Sequence, residues 1–567
     1  MRAQFMLSAA IVALAIPATA QAQYYGNDEV TGGGGGSSQS AEPFGGRAEP
    51  ENTRQRARIT PYIEASQVVL QELSPGSDTV TYTQLAAGVD ASVQGRNNGG
   101  SVSVRYERNI GYGDAAVDSD TITGIARGYT SVVPQVLTVE AGALAARTSV
   151  GQSGSSTFNS IEGIGEDTES EIYSVYGGPT LATQVGAAQV SAQYLFGYNR
   201  VEGPDVVPLD GGGAPVDIFD DSTVHSATAS VALKPADVLP VGLAVSGGAY
   251  QEDISNLDQR VRDLNVRAGV TVPLTPSFAV TGGIGYEDVE VSSRDVARDA
   301  AGNPIVDSSG RFVTDGNAPR QIAFETDGLI WDVGVVWRPS SRTSLTASYG
   351  RRYDSDTYYG TFSYAPDSRS SLGVSVYDSL VGFGGQLTNL LAAVSTNFTA
   401  GRNPLTGDFN GCTSGAEGGG CLNGALGSIR SSVYRSRGVA ANYSQQLGRL
   451  TAGVGLGYDR RTFLAAQNTV LAAADGLTDE NYYATAFVSG PIGRNAGFNT
   501  NAYVNYIDNG TGLGGDATVL GAAASYNRNI WQGLSARAAV AVDHLDSELA
   551  AEDLTTASAL FGLRYDF

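Results

Sequence analysis

Beyond residue 22 the chain has no run of 18 apolar residues, so it offers no helix that could cross a bilayer. Histidine is almost missing: there are two, His225 and His544, which leaves few groups that titrate near pH 7. His544 has an acidic neighbour in Asp543, but adjacent residues of an alternating segment point to opposite faces, so the two do not make a base and its partner. There is no G-x-S-x-G elbow and no H-E-x-x-H pair, and Gly-rich runs such as GVGLG lie inside strands rather than in phosphate-binding loops. The chain reads as a non-enzyme without cofactor or metal centre.

Positive charge is scarce as well. The 35 Lys and Arg stand against 58 Asp and Glu, a formal charge of -23, which argues against nucleic-acid partners. Cysteine is confined to Cys412 and Cys421, which bracket TSGAEGGG. A pair this close in a Gly-rich stretch of an exported chain is expected to close one small disulfide loop, worth about 2–3 kcal/mol in the chain-entropy model. A metal pair would need further Cys or His ligands, and none is near in sequence.

What the chain does have is an export signal and a long alternating pattern. MRAQFMLSAAIVALAIPATAQAQ places Arg2 before an apolar stretch from Phe5 to Ile16, followed by two small-x-small sites, so residues 1–22 read as a signal peptide. Residues 23–57 are Gly-, Ser- and Pro-containing with little apolar content, the composition of a disordered periplasmic tail. From Arg58 to Phe567, segments of about 10–16 residues alternate in polarity and are separated by turn residues. In LTAGVGLGYDRR, Leu450, Ala452, Val454, Leu456 and Tyr458 oppose Thr451, Gly453, Gly455, Gly457 and Asp459.

The segments number 22, starting near residues 58, 80, 101, 120, 136, 171, 187, 222, 241, 259, 277, 321, 342, 357, 370, 433, 449, 480, 496, 516, 533 and 555. Connections after even segments are short, such as VPQ, VGAA, PSS and LG. Every long connection follows an odd segment: 151–169, 200–221, 294–320, 383–432 and 464–479. An even strand count with short turns at one end and long loops at the other specifies an all-β, antiparallel up-and-down transmembrane β-barrel. Closed barrels cross hydrocarbon because every backbone polar group finds a partner. The expected address is the bacterial outer membrane, with lipid and lipopolysaccharide as its surroundings.

The chain ends LFGLRYDF, with Phe561, Leu563, Tyr565 and Phe567 on one face. This terminus resembles the signal by which the barrel assembly machinery recognises its clients. Aromatics gather at both strand ends, Tyr106, Tyr198, Tyr250, Tyr286, Tyr349, Tyr458 and Tyr506 against Trp337, Tyr364, Tyr443, Tyr526 and Phe567, as two girdles would require. With the apolar face toward lipid, the inward set includes Arg105, Glu107, Glu140, Arg267, Arg352, Asp459, Arg537, Asp543 and Arg564. These nine are the candidate pore-lining residues, either meeting an anionic solute or pairing with one another to stiffen the wall. Two loops are crowded with acids, Glu162, Glu166, Asp167 and Glu169 in one and Asp205, Asp210, Asp217, Asp220 and Asp221 in the next. Such loops either hold divalent ions or are simply solvated.

The 383–432 connection contains FGGQLTNLLAAVSTNF, in which Leu387, Leu390, Leu391, Val394 and Phe398 recur at helical spacing. A short helix there could enter the mouth of the barrel or pack among the outer loops. NDEVTG, Asn27 to Gly32, resembles the energy-coupling box of TonB-dependent receptors, but only a low-complexity stretch precedes the first strand where those receptors carry a folded plug. At residues 349–380, YGRRYDSDTYYGTFSYAPDSRSSLGVSVYDSL resembles the late-barrel hairpin of the uncharacterised outer-membrane β-barrels associated with the PEP-CTERM/exosortase system. The resemblance implies a barrel that accompanies exopolysaccharide production, and it carries over no catalytic residue. The chain is thus expected to be a passive or loop-gated conduit for small solutes or polysaccharide, with a structural or adhesive surface barrel without transport activity as the alternative and a plug-less relative of the TonB-dependent receptors as the third reading.

Overall fold

In the computed structural model, the described residues are 56–567 apart from 113–117, 151–155, 158–168, 204–205, 208–215, 308–310, 368, 415–419, 427–428, 511–515 and 548–552. The signal peptide, nearly all of the tail, and Glu162, Glu166, Asp167, Asp205 and Asp210 fall outside these residues. Twenty-two strands close a ring, numbered here in chain order. The first eleven are β1 Arg56–Ser74, β2 Thr79–Gln94, β3 Asn98–Tyr112, β4 Ser119–Val133, β5 Leu137–Val150, β6 Glu169–Val185, β7 Ala188–Glu202, β8 Asp221–Leu233, β9 Gly242–Ile254, β10 Gln259–Thr275 and β11 Phe278–Ser293. The rest are β12 Gln321–Ser340, β13 Thr343–Arg352, β14 Ser355–Asp367, β15 Ser370–Val381, β16 Tyr434–Leu447, β17 Leu450–Phe463, β18 Thr478–Ile492, β19 Ala496–Asn509, β20 Ala517–Trp531, β21 Leu534–Ser547 and β22 Leu554–Asp566.

Each strand pairs antiparallel with its neighbours in the chain, and β22 returns to pair with β1 from Tyr62 opposite Asp566 to Ser74 opposite Thr555. The ring therefore has no free edge. Every strand starts within three residues of its sequence expectation, the largest difference being β3, which begins at Asn98 rather than 101. The first strand begins at Arg56, two residues before the expected boundary.

Alternation sorts the side chains as the pattern requires. On β3, Ser101, Ser103, Arg105, Glu107 and Asn109 are buried inside the ring while Tyr106 and Ile110 are exposed outside. The outer face carries Ile59, Ile63, Leu85, Val245, Ile284, Leu329, Leu456 and Val540, an apolar surface suited to hydrocarbon. Among the terminal residues, Phe561, Leu563, Tyr565 and Phe567 all lie on that outer face, Phe567 at 69% exposure. The Phe567 N–H donates to the Pro61 carbonyl, tying the end of the chain to β1. Tyr458, Tyr482 and Tyr506 line up across β17, β18 and β19 with ring centroids 4.8 and 6.1 Å apart. One expected girdle residue is misplaced: Tyr250 faces inward, 6% exposed, and donates to Glu252. The β9 alternation assigns Tyr250 to the same face as Glu252 and Ile254, and a buried carboxylate gives its hydroxyl a partner.

The closed apolar-walled ring is an integral outer-membrane barrel, with its short turns at the periplasmic rim and its long connections at the other end. In a Cys412→Ser, Cys421→Ser background, a membrane-impermeant maleimide on intact cells is expected to label Ala301→Cys in the 294–320 connection. Arg494→Cys, in the β18–β19 turn, should stay protected. Labelling of the second with protection of the first would reverse the orientation.

Candidate functional site

The interior decides whether a barrel this wide is a pore, since 22 strands enclose far more space than wall side chains can fill. Here the space is taken by the chain itself. Between β15 and β16, the described residues of the 382–433 connection fold inward as helix α1 (Phe383–Ala393), a small sheet of Thr399–Arg402, Phe409–Ser414 and Gly420–Cys421, and a single helical turn, Asn423–Leu426. The excursion bonds to inward side chains of β2, β3, β5, β7 and β9 and, across the ring, of β17, β18 and β21, so it lies within the lumen and not above it. The expected helix is present, and it enters the barrel.

Helix α1 is seated by chemistry and by shape. Its first turn offers unpaired backbone N–H groups, and its N-cap residue, Gly382, has no side chain to accept them. Glu252 of β9 supplies the missing acceptor: its carboxylate receives the Gly382 and Gly385 N–H groups at 2.7 and 2.9 Å. Gly385 is required there, because a Cβ would lie 1.9 Å from the Tyr250 hydroxyl. Asn199 of β7 donates to the Thr388 hydroxyl at 3.0 Å. Phe383, Leu387 and Leu391 are fully buried in a cluster that continues through Val394, Phe398, Phe409, Leu422, Leu426 and Ile429. Wall residues Ile125, Leu144, Ile172, Val224, Val261, Val289 and Phe463 complete it. This is the core of a folded domain inside a barrel, and the amphipathic stripe in the sequence is its signature. Leu390 is the exception, only partly buried against the cluster.

Polar anchors fix the remainder of the excursion. The Asp408 carboxylate accepts from Arg147 of β5 at 2.6 Å, and Arg402 donates to Ser103 of β3 at 2.9 Å. Arg537 of β21 donates to the Pro404 carbonyl, and the Phe398 N–H donates to Ser101 of β3 at 3.3 Å. Ser101 and Arg537 each lie three residues from the short-turn end of their strands, roughly 10 Å of strand rise. The plug therefore reaches most of the way toward the periplasmic rim. Beside Arg105, at the middle of β3, Gly407 adopts φ +79°, and a Cβ at this position would lie 2.7 Å from the Arg105 guanidinium.

All nine candidate pore-lining residues face inward, and each has a partner. Arg105, 2% exposed, bridges Glu64 and Glu107 at 3.0 Å each, with Arg537 bonded to the other Glu64 oxygen at 2.6 Å. Arg352 joins Asp263 and Glu287 at 2.8 and 2.9 Å, and Arg267 holds Asp332 through two bonds of 2.5 and 2.7 Å. Glu140 pairs with Arg127, and Asp459 with Arg461. Asp543 accepts from Tyr503, while Arg564 lies over the Tyr62 ring beside Asp566 and Asp90. Of the two roles left open by the sequence, an anionic solute or mutual pairing, the structure shows these residues paired, with carboxylates of the wall and, for Arg537, with the plug. Arg537 contacts the plug directly, Arg105 packs beneath it, and the remaining arginines are neutralised by carboxylates of the wall. Sequence periodicity assigns a face but not a partner. Glu64, Arg147, Glu252 and Asp408, which position the plug, were not singled out from sequence; an inward acid on β9 opposite a Gly-Gly helix start was the only available hint.

The histidines stand apart. His225 faces outward with Tyr194 and Phe196, its Nδ1 2.8 Å from the Tyr194 hydroxyl. His544 faces outward beside Thr555 while Asp543 faces inward. Among the described residues, no three His, Cys, Asp or Glu side chains are grouped to hold a metal ion.

No family model matches the chain, and neither does any curated protein. Solved structures do resemble its fold. The FrpB iron transporter from Neisseria meningitidis aligns with a TM-score of 0.43 at 11% identity, over 89% of this chain and 81% of that one. The siderophore receptor PiuA from Acinetobacter baumannii gives 0.40 and 10%, over 89% and 82%. The ferric-catecholate import receptor Fiu from E. coli K12, in its closed form, gives 0.42 and 9%, over 89% and 81%. Likenesses this distant carry no argument about what this barrel handles.

Proposed function

We propose that the protein is a loop-gated outer-membrane conduit, closed at rest by residues 382–433. One observation supports the reading most: the ring closes without the plug, through β15–β16 pairing from Ser370 opposite Gln445 to Val381 opposite Tyr434. The plug is an addition to a complete wall, attached at two adjacent points, and it can move without opening the ladder. Conductance of intact and plug-deleted protein in planar bilayers tests this. A link to surface polysaccharide export or assembly, implied by the 349–380 resemblance, is carried as part of the proposal. The second reading, a sealed structural or adhesive barrel, is favoured by the buried apolar cluster shared between plug and wall. It predicts background current in both proteins.

Two smaller proposals accompany this. The backbone register sets Cys412 opposite Cys421, which suits a disulfide that pins the plug's inner sheet. Mass spectrometry of non-reduced peptides is expected to recover the linked pair, and free thiols in fresh outer membranes would remove it. The terminal aromatics are proposed as the contact for the assembly machinery. Deleting Phe567 together with Tyr565→Ser should lower the amount of folded barrel several-fold without altering the plug, and undiminished levels would dismiss the role.

A further inference from the structure

Ion pairs run round most of the lumen wall, from Arg105 with Glu64 to Arg352 with Asp263 and Arg461 with Asp459, while the inner face of β19 carries no charge at all. From the periplasmic end it presents Gly497, Asn499, Asn501, Tyr503, Asn505, Ile507 and Asn509. Register sets Asn505 opposite Tyr483, Tyr503 opposite Thr485, Asn501 opposite Phe487 and Asn499 opposite Ser489 on β18, with Ser525 opposite Asn499 on β20. The aromatic rings do not project into the lumen. They lie along the wall over glycines of the next strand: a Cβ on Gly457 would meet the Tyr483 ring at 2.2 Å, and one on Gly453 the Phe487 ring at 2.4 Å. On β20, Gly521 makes the same room for the Tyr503 phenol.

Several amide atoms between these rings lack partners among the described residues. Asn481 and Asn501 are 6% and 8% exposed. Both polar atoms of Asn481, and the Oδ1 of Asn501 and of Asn505, make no hydrogen bond among the described residues. Buried amides are ordinarily satisfied, and a wall needing only stability would place apolar side chains there. Unmet amides beside flattened aromatic faces match one ligand chemistry. Hydroxyl groups both donate to and accept from an amide, and the C–H face of a sugar ring lies against an aromatic face. An anionic solute gains nothing here, since the carboxylates nearest these amides are Asp479, paired with Arg430, and Asp543, which accepts from Tyr503.

We infer that the inner face of β18–β20 is a lane for an uncharged polyhydroxylated solute of the oligosaccharide class. The inference rests on the conduit reading for its purpose, and it is tested by binding, which does not require current to flow. Maltohexaose is titrated calorimetrically into the full-length protein in detergent, with a hexameric oligogalacturonate as the anionic control. Maltohexaose is expected to bind in preference to the anion. Asn501→Leu with Asn505→Leu, which keeps the size and removes the amides, should weaken binding about tenfold, the loss of one or two hydrogen bonds. The milder pair Asn501→Ser with Asn505→Ser should give an intermediate loss and guards against misfolding of the first. Absence of maltohexaose binding, equal binding by both variants, or preference for the anion would overturn the lane. Binding by a protein whose plug-deleted form passes no current would preserve the lane and dismiss the conduit.

Discussion

Deleting residues 383–432 and joining β15 to β16 with a short Gly-Ser turn is expected to turn a silent barrel into a large pore. The ring retains all 22 strands, and a ring of that size without its filling encloses a water-wide lumen, so step conductance should rise at least about tenfold over the intact protein. The deletion also exposes inner-wall apolar residues such as Ile172, Val224 and Val261 to water, so heat-resistant folding on gels should be checked alongside. A folded deletion protein that stays at background current would exclude the conduit and leave the structural barrel.

Replacing Arg105 by Met is expected to loosen the plug from below. Arg105 connects Glu64 of β1 to Glu107 of its own strand, is buried away from solvent, and packs against Gly407. Removing it strips Glu107 of its arginine and leaves Glu64 to Arg537 alone. Breaking a buried pair from one side costs about 3–5 kcal/mol, because a charge stays buried without its partner. The expected result is a lowered thermal midpoint and frequent brief openings in a bilayer. Arg105→Lys keeps the charge but loses the planar fork that reaches two carboxylates, and should fall between. If Arg105→Met were as quiet and as stable as the native protein, the ion network would have no part in seating the plug.

The strands were legible in sequence because each alternates on its own, a local property that turn residues delimit. The parity of connection lengths then fixed which end is which. The plug was legible only as a helical stripe in a long connection, since the pattern that makes α1 amphipathic does not say what covers it. The pairings that seat the plug were out of reach for a simpler reason: the Glu64 and Arg537 partners are 473 residues apart, brought together only when β22 closes on β1. Tyr250 illustrates the remaining gap. A tyrosine near a strand end suits a girdle or an interior equally, and the carboxylate two residues on, with the helix it caps, decided between them.

The segment between β15 and β16 is expected to lie inside the barrel in the native membrane, and a cysteine pair tests that directly. The Phe398 N–H donates to the Ser101 hydroxyl at 3.3 Å, so the two residues are direct neighbours and a cysteine at each probes that contact. In a Cys412→Ser, Cys421→Ser background, Ser101→Cys with Phe398→Cys should form a disulfide under mild oxidation in isolated outer membranes, seen as a linked peptide joining β3 to the 382–433 segment. Failure to cross-link, with the cysteine at 398 freely labelled by an impermeant maleimide on intact cells, would place the segment outside the lumen and contradict the account.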